Sequence, residues 1–270
     1  MKSLEEILIY LALVFYFFSF ALIFKTKSSR FSIHFLAAGV LAQLLSIIIR
    51  WVAIGHPPIF GSYEASLHGS WWLAVFIAFT HRSIFAYFRG MILTALPMVI
   101  AIMLYGLTFT TERKPMTLSE FNYLVDFHAL FAWLAYAPFT LSFCLALIYL
   151  FRHKQDSTAV APEIIDELSF RFMVYGFINH TIMFALGCYY SSTLYLNWWM
   201  WDPVESTSLI TWLVAGLYIH VRLFYKWRAV KSAWLNVVFF LTLLFSYWGL
   251  IYLPQGSTFH VFDTETKVTH

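Results

Sequence analysis

An all-α fold, a polytopic bundle of about eight transmembrane helices with both termini outside, is what this sequence predicts, and three observations predict it. Hydrophobic residues make up 61% of the 270 positions and charged residues only 11%, far from the balance of a soluble globular chain. The apolar residues gather into about eight runs, most of them near the ~20 residues that a bilayer requires. Lysine and arginine concentrate in alternate connections, as they do where short loops stay in the cytoplasm. The whole of 1–270 is read as one integral membrane domain, with the lipid bilayer as its surroundings.

The first run, 7–24, is long and aromatic and has no small-residue cleavage site behind it, so it predicts an anchor rather than a removable signal. Lys25, Lys27 and Arg30 form a short inner turn. The second run, 31–54, starts near His34, read as an interfacial polar group, and ends in Arg50 and Trp51. An ionised side chain at the outer end of an apolar span is costly and is usually paired or functional. Gly55, Pro57, Pro58 and Gly61 predict a rigid, non-helical outer loop that carries Glu64. The third run, 67–80, is short and holds His68, which makes it the weakest of the eight. Arg82 and Arg89 flank an inner turn, and Pro97 predicts a kink in the fourth run, 90–109.

A polar outer stretch, 110–122, leads to the fifth run, 127–151, with His128 at its outer mouth. The inner loop 152–169 is polar, and Pro162, Glu163, Asp166 and Glu167 in it suggest no more than a short interfacial helix. His180 lies halfway along the sixth run, 170–190, where an ionisable residue is a functional hypothesis by default. Residues 191–206 form an external tryptophan-rich loop with Trp198, Trp199, Trp201, Asp202, Pro203 and Glu205 in close order. Rings alone would make an interfacial belt. Rings beside fixed acids make a platform for a flat, partly apolar ligand with a polar edge. The seventh run, 207–224, holds His220 near its inner end, and the eighth, 234–253, leads outward to His260.

Cys144 and Cys188 stand alone in apolar runs, without C-x-x-C or metal-type spacing, and read as packing residues. The net charge of +3 comes from the basic inner loops and predicts no nucleic-acid partner.

The order Trp198-Trp199-Met200-Trp201-Asp202-Pro203-Val204-Glu205, with Thr211-Trp212-Leu213 and Tyr218-Ile219-His220-Val221-Arg222 downstream, resembles the WWD signature of haem-handling membrane proteins, CcsA/ResC of the cytochrome c synthases above all. Arg50-Trp51, the Gly55-His56-Pro57-Pro58 element, Tyr63-Glu64 and Leu67 match the same family, as do His128, Tyr136 and Phe139 at the spacing that opens its fifth helix. The resemblance runs from Arg50 to His260. It loosens at its end, where the family's G-x-H-S-Y setting is replaced by Ser257-Thr258-Phe259 before the histidine and Val261 after it. His68 and His180 fall where the family has apolar residues, and the resemblance gives them no role.

The resemblance implies haem b, iron protoporphyrin IX, as a transported substrate. Imidazole is a recognised axial ligand of haem iron. His128 and His260 would hold the iron at the outer face, with His220 as a deeper, earlier station. Trp198, Trp199 and Trp201 would lie beside the porphyrin, with Asp202 and Glu205 in the same loop. Arg50 either pairs with Glu64 or holds a propionate, for which Arg113 and Lys114 are further cations. The implied outcome is attachment of the haem vinyl groups to the CxxCH cysteines of an apocytochrome c, on the periplasmic or extracellular face of the plasma membrane. A separate CcsB/ResB-type subunit is the implied partner, with thiol-reducing proteins beside it. No residue is an obvious acid, base or nucleophile for thioether formation, so the expected contribution is positioning. Two rivals stand: a HemX-like regulator of haem biosynthesis, and a b-type electron-transfer protein with His180 and His220 on one haem.

Overall fold

The computed structural model describes residues 3–26, 29–83, 88–112, 122–152 and 161–247. Among these are eight α-helices and no strand: α1 (Leu4–Thr26), α2 (Ser29–Ile54), α3 (Ser62–Ser83), α4 (Phe88–Gly106), α5 (Tyr123–Arg152), α6 (Pro162–Tyr195), α7 (Pro203–Leu223) and α8 (Val230–Tyr247). Helix is the form that satisfies every backbone donor and acceptor within one segment, as an apolar surrounding demands. Six of them, α1, α2, α5, α6, α7 and α8, are long and apolar enough to cross a membrane. The apolar part of α4, Gly90–Gly106, is shorter, and α3 is diluted by Glu64, Ser66, His68 and Ser70, all of them buried. Phe17, Phe18, Leu41, Ile178, Leu217 and Leu241 instead face outward, the arrangement that lipid favours. His260, Arg113 and Lys114 lie outside the described residues.

Most boundaries shift from the sequence reading, and three of the shifts change how a residue is read. α3 starts at Ser62, so Tyr63 and Glu64 belong to its first turn rather than to a loop. α6 starts at Pro162 and runs for 34 residues, so the acids at 163–167 open a long helix and do not form a separate interfacial one. Proline at the first helical position loses no hydrogen bond and carries the right φ, which is why the helix begins there. α7 likewise starts on a proline, Pro203, inside the tryptophan-rich segment.

The helices divide into two compact units, α1 to α4 and α5 to α8. In the first, α1 packs on α2 and α4, and α3 packs on the same two. Ser19 and Ser32 each donate to the other's carbonyl, at 2.8 and 2.9 Å, and so tie the later part of α1 to the start of α2. Gly39 lets the Tyr16 ring lie against α2, since a β-carbon there would come within 2.6 Å of it. The Tyr16 hydroxyl donates to Gln43 at 2.8 Å, and Gln43 donates on to the Leu67 carbonyl of α3 at 2.9 Å.

In the second unit α5 packs on α6 and α8, and α7 packs on the same two. Ser142 and Ser169 exchange hydroxyl-to-carbonyl bonds between α5 and α6, and Asn236 of α8 donates to the Ser142 hydroxyl at 2.7 Å. At the end of the unit holding the start of α6, Arg222 is buried and bonds Asp166 at 2.8 Å and Ser232 at 3.1 Å. Asp166 also accepts from the Ala229 amide at 3.2 Å, so one carboxylate fastens α6, α7 and the turn before α8. Arg222 thus serves the interior of the unit, although from sequence it is a charge at an inner loop and the last residue of the Tyr218 to Arg222 stretch.

Candidate functional site

The tryptophan-rich segment joins α6 to α7, and its shape follows from how those two helices end and begin. α6 stops at Leu196, whose φ of 57° puts it in the left-handed region, and the Ser191 hydroxyl donates to the Asn197 carbonyl at 2.8 Å. α7 opens on Asp202, Pro203 and Glu205 at the N-cap, first and third helical positions, an order favoured at helix starts. Asp202 Oδ1 accepts the Glu205 amide at 2.8 Å. Glu205 Oε2 reaches back to the Met200 amide at 2.7 Å, two residues before the N-cap, in a widened form of the reciprocal cap that a serine and glutamate make elsewhere. Both acids therefore brace the backbone between Met200 and Glu205.

Within that brace Trp201 has a φ of 59°, a conformation that a bulky side chain rarely adopts. Its ring is 73% exposed and meets Trp199 edge-on, with centroids 5.9 Å apart. Trp199 stacks on Phe184 of α6 at 5.2 Å and 22°. Trp198, 61% exposed, leans on Tyr189 at 6.2 Å. The rings thus divide into one seated on α6 and two open to the surroundings.

Phe184 carries the aromatic array into the unit, because His180 lies one helical turn before it with the two rings 6.2 Å apart. His180 is fully buried, with its Nε2 3.2 Å from the Ser208 hydroxyl of α7 and its ring between Tyr136 and Phe139 of α5. Its Nδ1 is buried without a hydrogen-bond partner among the described residues. The signal that could have placed it is the i, i+4 spacing to Phe184, which puts both on one helix face. His128 sits a turn into α5, half-buried, with its Nδ1 2.9 Å from the Met183 carbonyl of α6 and its ring against Gly187. As α5 and α6 are antiparallel, His128 is at the end of the unit from which the tryptophan segment emerges.

His220 is elsewhere. It is exposed, stacks on Phe224 at 4.7 Å, and lies 17 residues beyond Pro203, about 25 Å along α7. Its neighbours Tyr218 and Arg222 face the interior instead. It also stands 12 residues past Ser208, the contact of His180, which is about 18 Å of helix. One iron cannot be held by both imidazoles, and the b-type arrangement with His180 and His220 on a single haem is excluded.

In the first unit the structure joins Arg50 and Glu64. Arg50 is 2% exposed; its Nε donates to Glu64 Oε1 at 2.7 Å, and its Nη1 to Glu5 Oε1 at 3.2 Å and to the Thr111 carbonyl at 3.1 Å. Glu64 Oε2 accepts the Phe60 amide at 3.0 Å, bracing the start of α3. Of the two readings of Arg50, the ion pair is the one formed. Glu5, the second carboxylate on it, was not singled out from sequence, where it is merely an acid ahead of the first apolar run.

Residues 1–257 match the family model described as cytochrome C assembly protein. Among similar proteins is the cytochrome c biogenesis protein CcsA of Chlamydomonas reinhardtii, 27% identical over 87% of this chain and 70% of that protein. The protein of the same name from Guillardia theta is 26% identical over 87% of each, and that of Prochlorococcus marinus is 26% identical over 90% of this chain and 91% of its own length. With most of its length covered by that model, and with helices built to cross a membrane, the chain belongs to the cytochrome c assembly protein family, as a multi-pass membrane protein of CcsA type with a role in cytochrome c biogenesis.

Proposed function

We propose that the chain carries haem b, as substrate, to the outer face of the plasma membrane and presents it there for attachment to the CxxCH cysteines of an apocytochrome c. The observation that carries this reading is the segment 198–205, braced from Met200 onward, in which the Trp198 and Trp201 rings lie open at the end of the unit where His128 lies. Haem is flat and largely apolar, so it suits such faces, while imidazole suits its iron. His128 and His260 are the iron ligands in this reading. His220, on the surface near the other end of α7, is an earlier station. Arg50 already holds two carboxylates, so this reading gives it to the fold and leaves the propionates to Arg113 and Lys114.

Attachment adds a cysteine S–H across a haem vinyl group: the S–C bond forms, the vinyl π bond is lost, and the proton ends on the other vinyl carbon. No net oxidation occurs, but the cysteines must arrive reduced, which calls for thiol-reducing partners. The chain's contribution is to hold haem in position, and a CcsB/ResB-type subunit completes the site.

Deleting the chain should abolish covalent haem attachment to exported CxxCH proteins and leave b-type haem proteins intact. Normal attachment with disturbed haem precursors would overturn this reading in favour of a HemX-like regulator. Purified protein should carry haem with a bis-histidine spectrum. His128→Ala should weaken it and added imidazole restore it.

A further inference from the structure

The two units share more than an order of helices. Ser142 lies 123 residues after Ser19, and Ser169 lies 137 after Ser32; these are the two reciprocal serine pairs. The same two offsets carry Tyr16 and Gly39 onto Phe139 and Gly176, where again an aromatic ring lies against a glycine. They carry Glu5 and Ser46 onto His128 and Met183. Ser46 donates to the Glu5 carbonyl at 2.9 Å, and the His128 ring meets the Met183 carbonyl at the same distance. Since each residue turns a helix by about 100°, a slip of one position would break every one of these contacts. Their agreement under two fixed offsets is therefore a demanding condition.

The third helices obey a single offset as well. Glu64 and Glu205, 141 apart, both reach back to an amide ahead of their helix. Ser70 and Thr211 bond the carbonyls of Ser66 and Thr207, four residues back in each case. Trp71 donates to the Val40 carbonyl of α2, and Trp212 stacks on Phe177 of α6, the matching position. Gln43 and His180 match too, and each reaches the same place on the third helix, Leu67 in one unit and Ser208 in the other.

One place differs in chemistry. Where the first unit has Glu5 and Arg50 in an ion pair completed by Glu64, the second has His128, Gly187 and Glu205. The matching pairs touch in both units: Arg50 Nη1 is 3.2 Å from Glu5, and a β-carbon on Gly187 would come within 2.9 Å of the His128 ring. We propose that the chain is a tandem repeat of one four-helix unit, in which the Glu5–Arg50–Glu64 triad is the closed counterpart of a place that the second unit keeps for an iron-binding imidazole. Gly187 is then the positioning residue of His128: with no side chain of its own, it lets the ring lie against α6 with Nδ1 on the Met183 carbonyl, which would make Nε2 the ligand atom. That positioning role rests on haem being the ligand of His128, whereas the repeat does not.

The test is to build the first unit's pair into the second, in the full-length protein in detergent. His128→Glu and Gly187→Arg should each lower the melting temperature, and the double variant should regain at least half of the summed loss, with haem absent from the outer site. A double variant that loses the full sum or more overturns the repeat, whether or not haem binds. Should the charged variants fail to fold, Gly187→Ala and Gly216→Ala decide. At Gly216 a β-carbon meets nothing nearer than 3.6 Å, so that variant should leave haem content and spectrum as in the parent. Gly187→Ala should shift the spectrum and lower haem retention at least several-fold, with imidazole restoring the signal. An unchanged spectrum in Gly187→Ala would remove the positioning role. A parent protein with no haem, together with restored stability in the double variant, would sink the haem reading and keep the repeat.

Discussion

Glu205 accepts the backbone amide of Met200 at 2.7 Å, across the four residues Trp201 to Val204, whose Trp201 and Asp202 an acid–aromatic platform would offer to a ligand. The carboxylate therefore shapes the turn from within. Asp202 does the same from the other side by accepting the Glu205 amide.

Replacing Asp202 tests which of these jobs matters. Asp202→Ala removes an N-cap worth about 1 kcal/mol, whereas Asp202→Asn keeps an acceptor at the same place. Hydrogen exchange of the amides at 204–206 should quicken roughly five-fold in the alanine variant and little in the asparagine one, and cytochrome c maturation should follow the same order. If Asp202→Asn stops maturation while exchange stays at the parent rate, the carboxylate itself meets the substrate and the bracing account fails.

Arg50 is the next case. Removing the guanidinium leaves Glu5 and Glu64 buried without their cation, and breaking a buried pair from one side typically costs about 3–5 kcal/mol. Arg50→Ala should fall in melting temperature far more than Glu64→Gln, with the haem spectrum per folded molecule unchanged in both. Lost haem at parental stability would instead return Arg50 to a propionate role.

Trp201 offers a test of backbone strain. At a φ of 59° glycine escapes the steric cost that any β-carbon incurs, about 1 kcal/mol or more. Trp201→Gly should melt above Trp201→Ala, and both should lose haem transfer because the exposed ring is gone. Equal melting points for the two would show that the turn is not strained.

The sidedness drawn from the basic loops is checked by labelling. Asn197→Cys in the tryptophan segment should react in intact cells with a membrane-impermeant maleimide, and Lys226→Cys in the turn after α7 should react only after lysis. The opposite pattern would reverse the topology and move the proposed chemistry to the inner face.

The helices were legible because apolar runs and loop charges are properties of composition, and these survive without knowledge of packing. The family signature was legible for a different reason: W-D-P-x-E writes a helix start and a set of rings into consecutive residues. Partnerships between distant positions were not legible. Nothing near Glu5 announces that Arg50 will meet it, and nothing near Asp166 announces Arg222, since each pair is set by the register of helices that only packing fixes. The repeat is not legible in the sequence because most matched positions share a contact and not a residue type. Serine, glycine, tryptophan and one glutamate recur, but at the place of interest Glu5 is matched by His128 and Arg50 by Gly187.

The 34 residues of α6 make a rod of about 51 Å, and a bilayer's hydrocarbon is only about 30 Å deep. Its first two turns carry Glu163, Asp166 and Glu167, and its last two carry Tyr189, Tyr190 and Tyr195, so polar and amphipathic groups cover the overhang at each tip. Helix length by itself can therefore lift the tryptophan segment clear of the lipid tails, and the segment's own rings add an anchor at the headgroups. A thicker or thinner membrane would change the rod's tilt, and thereby the height of the segment over the lipid, while leaving the segment's own fold untouched.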